Sequence, residues 1–258
     1  MTQEERLDYL IEALAAEEPR YAGLKIPAET GEKKRLLRAL FNLRPPRPAG
    51  ERLLAVQDAY LAEALRARGT AAAEALAPAA EGDICLWQGD ITTLAADAVV
   101  NAANSALLGC FVPCHRCIDN AIHTYAGIQL RLACHEIMRR QGREEPAGGA
   151  KITPAFNLPS RYVLHTVGPI AGGAPTRRDR AELASCYRSC LKLAKENKLR
   201  SVAFCCISTG EFRFPNEAAA EIAVAAVRAF LREEKAEMRV IFNVFKDIDR
   251  RIYAELLR

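Results

Sequence analysis

Apolar residues in the first 80 positions recur at the spacing of amphipathic helices. They repeat every three or four residues over three segments, 7–14, 36–41 and 53–65, as they do along one face of an α-helix. The alanine-rich segment 71–77 favours a short fourth helix. No segment in this part has the composition of a β-strand. Residues 1–80 are therefore predicted to form a helical N-terminal extension.

From Asp83 onward, short apolar runs alternate with stretches of helical periodicity. The runs suit buried strands and cover 84–87, 98–100, 162–164, 202–207 and 239–242. The helical stretches cover 118–139, 179–197, 215–234 and 246–257. Strands that alternate with helices indicate a layered α/β domain, with helices on both faces of a mostly parallel sheet. We assign this domain to residues 83–258.

Composition and charge narrow the class of protein. Apolar residues make up 50% of the 258 positions and charged residues 26%, as in globular rather than disordered chains. The net charge of +4 is too balanced to argue for a nucleic-acid partner. No apolar run approaches the ~18 residues of a membrane span, and the acidic, amphipathic N-terminus is unlike a secretion signal. We therefore expect a cytoplasmic protein without a membrane partner.

The number of cysteines points to metal binding rather than to disulfides. Nine cysteines is an odd count, and the chain shows no export signal. Reduced thiols, some of them ligating a metal, fit this pattern better than a disulfide framework.

The loops that follow the predicted strands are the candidate sites, because ligands of parallel α/β sheets bind beyond the carboxyl ends of the strands. After the first strand, Gly89 permits a tight turn, and Asp90 can accept a hydrogen bond from an exocyclic amine or cap the turn. After the second strand, Asn101 and Asn104 flank two alanines. Their amides suit the hydroxyls of a sugar, although an Asx turn would use the same residues.

Two later loops suit an anion and a base. The segment 208–212, Ser-Thr-Gly-Glu-Phe, lets successive backbone N–H groups turn toward an anion such as a diphosphate. Phe245 follows the last predicted strand. An aromatic ring at that position either stacks on a base or belongs to the core.

Thiols and an imidazole are concentrated in the segment 110–117. Cys110, Cys114, His115 and Cys117 fall within eight positions, and zinc binds such ligands tetrahedrally. Four protein ligands would make the site structural, whereas three would leave a position open for catalysis. Cys110, His115 and Cys117 form one three-ligand set. Cys114 stays open as an alternative ligand, although adjacent Cys114 and His115 would strain to reach one ion.

Polar residues just beyond this segment have competing interpretations. Asp119 can orient a ligand or water, or cap the following helix. His123 is expected to be partly buried with its hydrogen bonds satisfied. His165 is expected in the core, within a strand.

The order of these segments resembles the macrodomain family, whose members bind ADP-ribose. The sequence GDIT is followed by NAAN, by a loop ending in IDNAIHTYAG and by STGEFRFP, so that the resemblance covers residues 83–258. The loop GCFVPCHRCIDN resembles that of zinc-containing macrodomains, microbial protein-ADP-ribose hydrolases that carry a helical N-terminal extension. The resemblance implies a three-layer α/β/α fold with a central mixed, mostly parallel sheet.

The resemblance also implies a role for each matching residue. Asp90 would contact the adenine amine with the Ile91 backbone beside it, and Phe245 would pack on the adenine ring. Asn104 would hold the distal ribose, and Asp119 would be the acid of the catalytic loop. The diphosphate would be cradled by Ser208, Thr209, Gly210, Glu211 and Phe212. One zinc ion would be held by Cys110, His115 and Cys117.

The implied activity is zinc-dependent removal of mono-ADP-ribose from acidic side chains of a target protein. Two alternatives remain open: deacetylation of O-acetyl-ADP-ribose, and binding of ADP-ribose without turnover. The resemblance further implies a lipoyl-carrier-type target that is modified by a sirtuin-like transferase. The N-terminal helices would serve as a packing cap, a docking surface for the target or an oligomer contact.

Overall fold

A computed structural model describes residues 1–81 and 83–258. The helices are α1 (Gln3–Ala16), α2 (Thr30–Leu43), α3 (Glu51–Arg68), α4 (Ile118–Ala126), α5 (Ile128–Gln141), α6 (Arg177–Glu196), α7 (Asn216–Glu233) and α8 (Asp247–Leu256). The strands are β1 (Ala71–Ala72), β2 (Pro78–Ala80), β3 (Ile84–Gln88), β4 (Leu94–Ala95), β5 (Ala98–Ala103), β6 (Ala150–Pro154), β7 (Tyr162–Val167), β8 (Ser201–Phe204) and β9 (Arg239–Val244). None of the described helices has the length and hydrophobicity that a transmembrane segment requires.

A seven-stranded mixed sheet forms the centre of the α/β part. Its strand order is β2-β3-β9-β8-β5-β7-β6. The five inner strands pair in parallel, and the two edge strands β2 and β6 pair antiparallel. Helices α6, α7 and α8 pack on one another in sequence, while α4 packs on α5 and on β5. The predicted layered α/β fold with a mixed, mostly parallel sheet is confirmed.

The apolar runs of the sequence are the buried inner strands. Val99 of β5 pairs with Val163 of β7 and with Ala203 of β8, and all three side chains are fully buried. Because the inner strands are parallel, their carboxyl ends meet at one edge of the sheet. The loops selected from the sequence therefore leave the sheet side by side.

Helices α1, α2 and α3 pack around a separate cluster of buried apolar side chains. Thr2 caps α1 in a capping box with Glu5, which fixes where that helix begins. Ile128 of α5 completes the cluster and joins it to the α/β part. The three helical segments predicted before residue 70 are confirmed. The cluster contains Leu7, Leu10, Ile11, Leu14, Leu37, Leu40, Phe41, Leu53, Tyr60, Leu61 and Ile128.

The predicted fourth helix over 71–77 is wrong, and so is the expectation of no strand before residue 80. β1 pairs in parallel with β4, Ala73–Ala75 form one 3₁₀ turn, and β2 adds to the edge of the main sheet beside β3. Pro78 disfavours helix for the residue before it, and so short an alanine run has little helix stability of its own. Ala73 is instead buried in the main core.

The stretch 118–139, predicted as one helix, is two. Gly127 separates α4 from α5 with a φ of +92°, a conformation that disfavours any residue with a Cβ. The amide of Ile128, freed at the start of α5, donates to Gln57 Oε1 at 2.9 Å. A side chain of α3 thus satisfies the backbone amide that the break between α4 and α5 leaves without a helical partner.

Candidate active site

A cleft of about 1070 Å³ lies at the carboxyl edge of the sheet. Every residue to which the sequence resemblance assigns a catalytic, nucleotide-contacting or metal-ligating role lines it. Of the other two candidates, Asn101 is fully buried and Cys114 lies against α2. The fold therefore brings together loops that are more than 150 residues apart in the sequence. The lining residues with an assigned role are Asp90, Ile91, Asn104, Cys110, His115, Cys117, Asp119, Ser208, Thr209, Gly210, Glu211, Phe212 and Phe245.

Asp90 caps the short 3₁₀ turn that follows β3. Its Oδ1 accepts from the Thr92 amide at 2.9 Å and from Thr92 Oγ1 at 2.7 Å. Its Oδ2 accepts from Arg68 Nη1 at 3.1 Å, and that guanidinium stacks on the Tyr125 ring at 3.7 Å from its centroid. The carboxylate is thus fixed in place, while Oδ2 keeps a lone pair for a further donor. Phe245 is 75% exposed, which excludes the interpretation of a core residue and leaves its ring open to a planar ligand.

The loop after β8 presents donors to the cleft. Ser208 has a φ of +65°, and its buried hydroxyl has no hydrogen-bond partner in the described part of the chain. Across residues 1–81 and 83–258, the amides of Gly210, Glu211 and Phe212 donate to no other residue. Gly168 lies so close that an added Cβ would meet Ser208 Oγ at 2.0 Å. Neighbouring free N–H groups of this kind form an anion-binding concavity.

The buried carboxyl group of Asp119 is held by two asparagines. Asn101 Nδ2 donates to Oδ1 at 2.8 Å, and Asn104 Nδ2 approaches Oδ2 at 3.4 Å. Asn104 Nδ2 also donates to the Gly109 carbonyl at 3.0 Å. Burial raises the pKa of Asp119 to about 6. The alternative that Asp119 caps α4 is wrong, because Cys117 Sγ is the cap and accepts from the Asn120 amide.

Two histidines flank this carboxyl group in the interior. His165 lies buried in β7 as predicted, with Asn101 Nδ2 at 3.2 Å from Nδ1 and Thr153 Oγ1 at 2.9 Å from Nε2. His123 Nε2 lies 3.6 Å from Asp119 Oδ1. The expectation that His123 is satisfied is wrong, since neither ring nitrogen has a hydrogen-bond partner among the described residues. Burial lowers the pKa of His123 well below its usual value, so the ring is neutral.

The Cys/His loop, residues 110–117, brings three ligand atoms together. The ligand atoms of Cys110, His115 and Cys117 lie within 4.8 Å of one another, and Cys110 Sγ is 3.6 Å from His115 Nδ1. Tetrahedral zinc bonds of about 2.3 Å to sulfur and 2.1 Å to nitrogen would separate such atoms by about 3.6–3.8 Å. His115 Nε2 points instead toward Glu211, at 3.5 Å. The residues present therefore fit a three-ligand zinc site.

Cys114 does not belong to this group. Its thiol donates to the carbonyl of Arg35 in α2 at 3.3 Å, and its φ is +54°. The cluster of candidate ligand atoms in the Cys/His loop, within the described residues, contains Cys110, His115 and Cys117 without Cys114.

A family model and two relatives of similar length identify the family of this chain. The Macro domain model matches residues 100–223. The protein-ADP-ribose hydrolase of Treponema medium is 54% identical over 260 residues, which cover all of both chains. The protein-ADP-ribose hydrolase of Staphylococcus aureus strain MSSA476 is 49% identical over 251 residues, covering 97% of this chain and 94% of the relative. The chain belongs to the macro domain family.

The architecture of this macro domain also matches a solved structure of the family. The Trypanosoma brucei macrodomain in complex with ADP-ribose aligns with a TM-score of 0.66 at 31% identity, covering 85% of this chain and 95% of that one. The match extends well beyond the segment 100–223 that the family model covers.

Several residues that shape the cleft of this macro domain were missed from the sequence. Arg38 and Asn42 of α2 bind the Cys/His loop, Arg68 of α3 binds Asp90, and Arg131 of α5 binds the Leu108 carbonyl at 2.7 Å. Arginines on helices are usually solvent-exposed. No local pattern in the sequence distinguishes those that turn inward.

Proposed function

We propose that this macro domain is a zinc-dependent protein-ADP-ribose hydrolase that removes mono-ADP-ribose from acidic side chains of a target protein. One observation carries the proposal: the ligand atoms of Cys110, His115 and Cys117 converge in the same cleft that the buried carboxyl group of Asp119 lines. Relatives of similar length that bear the name protein-ADP-ribose hydrolase support it. Membership of the zinc-containing group of macro domains is part of the proposal.

The parts of ADP-ribose remote from the reacting bond would hold the distal sugar in place. Asp90 would accept a hydrogen bond from the adenine amine, and the exposed ring of Phe245 would stack on the base. The free amides of Gly210, Glu211 and Phe212 would bind the diphosphate. Asn104 Oδ1 is buried without a partner among the described residues, so it is available to a ribose hydroxyl.

Hydrolysis requires a water molecule directed at the anomeric carbon. Asp119 suits this task, because a carboxylate oriented by Asn101 and Asn104 can accept the proton of the attacking water. A pKa of about 6 leaves Asp119 mostly ionised at neutral pH. The leaving group is the carboxylate of the target side chain, which departs as a stable anion and needs no proton.

Cys110, His115 and Cys117 would hold one zinc ion with a fourth position open. Bound there, zinc would orient and polarise the ribose or the ester. It would be a weaker source of hydroxide, because two thiolates donate charge and reduce the acidity of zinc-bound water. Glu211 lies beside His115 Nε2 and would keep Nδ1 directed at the metal position.

Two substrates and one binding measurement separate the proposal from its alternatives. The protein would be incubated with a carrier protein mono-ADP-ribosylated on Asp or Glu, and separately with O-acetyl-ADP-ribose, while calorimetry measures ADP-ribose binding. The proposal expects fast release of ADP-ribose from the protein and slower turnover of the acetylated nucleotide. Tight binding with no release from either substrate would identify a reader, and turnover of O-acetyl-ADP-ribose alone would identify a deacetylase.

The identity of the target and the place of action stay predictions. A lipoyl-carrier-type target modified by a sirtuin-like transferase rests on the sequence resemblance alone. Comparing release rates from a modified lipoyl-carrier protein and from an unrelated modified protein tests the first of them.

A further inference from the structure

Helix α2 of the N-terminal extension lies directly against the Cys/His loop. Arg38 Nε and Nη2 donate to Asn120 Oδ1 at 3.2 and 2.7 Å, and Nη2 also donates to the His115 carbonyl at 2.9 Å. Four residues further along α2, Asn42 Oδ1 accepts from the Cys114 amide at 2.9 Å. Residues four apart share one face of a helix, so α2 presents a polar edge to the loop.

Asn120 links Arg38 to other residues of the Cys/His loop through hydrogen bonds. Its side chain is fully buried, and its Nδ2 donates to the Val112 carbonyl at 3.0 Å. Its amide donates to Cys117 Sγ at 3.4 Å. Arg38 thus reaches one ligand through the His115 backbone and a second through Asn120.

The loop has little hydrogen bonding of its own. In the described part of the chain, one backbone–backbone hydrogen bond lies inside residues 109–117. It runs from the His115 amide to the Val112 carbonyl at 3.2 Å. Cys114 adopts a left-handed conformation, which is unfavourable for a residue with a Cβ. The charged donors of Arg38 and the amide of Asn42 supply hydrogen bonds that the loop lacks, and hydrogen bonds from a charged group are the stronger kind.

The polar edge of α2 is separate from the face that packs the helical extension together. Leu37, Leu40 and Phe41 belong to the cluster shared with α1 and α3. A helix that served as a packing cap alone would need that apolar face and no buried polar contacts across to the loop.

We propose that α2 is a positioning element of the catalytic site, in which Arg38 and Asn42 hold the Cys/His loop so that the ligand atoms of Cys110, His115 and Cys117 converge. The metal-related part rests on the proposed function, whereas the control of loop conformation stands independently of it. Arg38 is a positioning residue, because it acts through His115 and Asn120.

The test compares Arg38→Met with Arg35→Met, a matched control on the same helix whose side chain is exposed. Arg38→Lys keeps the charge but loses the two-pronged donor. Zinc affinity is measured by competition with a chromogenic chelator. Amide hydrogen exchange of residues 109–117 is measured on the full chain, as purified and after removal of metal by a chelator.

We expect Arg38→Met to lose roughly 10- to 100-fold in zinc affinity, the range typical of groups that orient metal ligands. Exchange in 109–117 should rise at least about tenfold with and without metal, while peptides of α1 and α3 keep the wild-type rates. Zinc affinity and exchange in Arg38→Lys should fall between those of the wild type and of Arg38→Met, and Arg35→Met should match the wild type.

Unchanged zinc affinity and unchanged exchange in Arg38→Met would overturn the proposal. So would a rise in exchange that spreads equally over α1 and α3, because it would show a role in general stability. A wild-type protein that binds no zinc would refute the metal site of the proposed function, and the exchange rates of the metal-free protein would still decide whether α2 positions the loop.

Discussion

Arg131 is expected to be the side chain whose loss most weakens the contact between the helical extension and the cleft. The residue is only 4% exposed. Nε donates to the Leu108 carbonyl at 2.7 Å, and Nη1 donates to the carbonyls of Phe41, at 3.0 Å, and Arg44. Its Cζ also lies 4.2 Å from the ring centroid of Phe111 in the Cys/His loop. The substitution Arg131→Met removes all of these donors and keeps an apolar stem.

Two effects set the size of the change in the free energy of unfolding. Three carbonyls left without a donor cost about 1–3 kcal/mol each. Methionine would relieve the cost of burying the charge, which lowers the pKa of Arg131 from 12.5 to about 10 and corresponds to about 3 kcal/mol. The balance is a net destabilisation of about 3 kcal/mol, or a melting temperature lowered by about 6–12 °C for a chain of this size.

Urea unfolding and thermal unfolding measure this change directly. The matched control is Arg139→Met, on the same helix, where an exposed arginine pairs with Glu136 at 3.1 Å. Exposed pairs contribute at most about 1 kcal/mol, so the control should melt within about 4 °C of the wild type. An Arg131→Met protein that melts within about 1 °C of the wild type would show that the Arg131 hydrogen bonds contribute no net stability.

Three further predictions concern the cleft. Phe245→Ala should raise the dissociation constant for ADP-ribose about 5- to 150-fold by calorimetry, because stacking on a base contributes about 1–3 kcal/mol; an unchanged constant would show that Phe245 does not contact the adenine. Arg68→Met should raise KM by up to about fivefold with kcat unchanged, because its ion pair with Asp90 is partly exposed; a loss in kcat alone would contradict this. Burial raises the pKa of Asp119 to about 6, so protonation below that pH should lower kcat/KM about tenfold per pH unit, with a plateau above it. Steady-state rates that stay level down to about pH 4.5 would exclude Asp119 as the base.

Periodicity predicted most of the fold, because long amphipathic helices and fully buried inner strands carry strong patterns. Periodicity failed where contacts with distant parts of the chain determine the secondary structure. β6 was missed because an edge strand that includes Lys151 and Pro154 shows no apolar run. The segment 71–77 has alanines that favour an α-helix, yet strand pairing of Ala71–Ala72 and the proline at 78 leave only the single 3₁₀ turn Ala73–Ala75. The break at Gly127 depends on a contact with Gln57 from another part of the chain.

The candidate site was predictable where the chemistry lies in the loops after the strands. Topology alone brings Asp90, Asn104, Ser208 and Phe245 to one edge of the sheet. Predicting where the strands end was therefore sufficient to identify these residues. The supporting residues were not predictable in this way. Arg38 reaches His115 across 77 positions of sequence, and a charged residue on an amphipathic helix is indistinguishable, within a single sequence, from one that faces solvent.

Zinc dependence is tested by measuring zinc content and ADP-ribose release together, in the wild type and in Cys117→Ala. The substrate is a protein mono-ADP-ribosylated on acidic side chains. We expect about one zinc ion per wild-type chain and steady release of free ADP-ribose. In Cys117→Ala both should be lost, while ADP-ribose still binds. Release at the wild-type rate from a zinc-free Cys117→Ala protein would contradict zinc dependence.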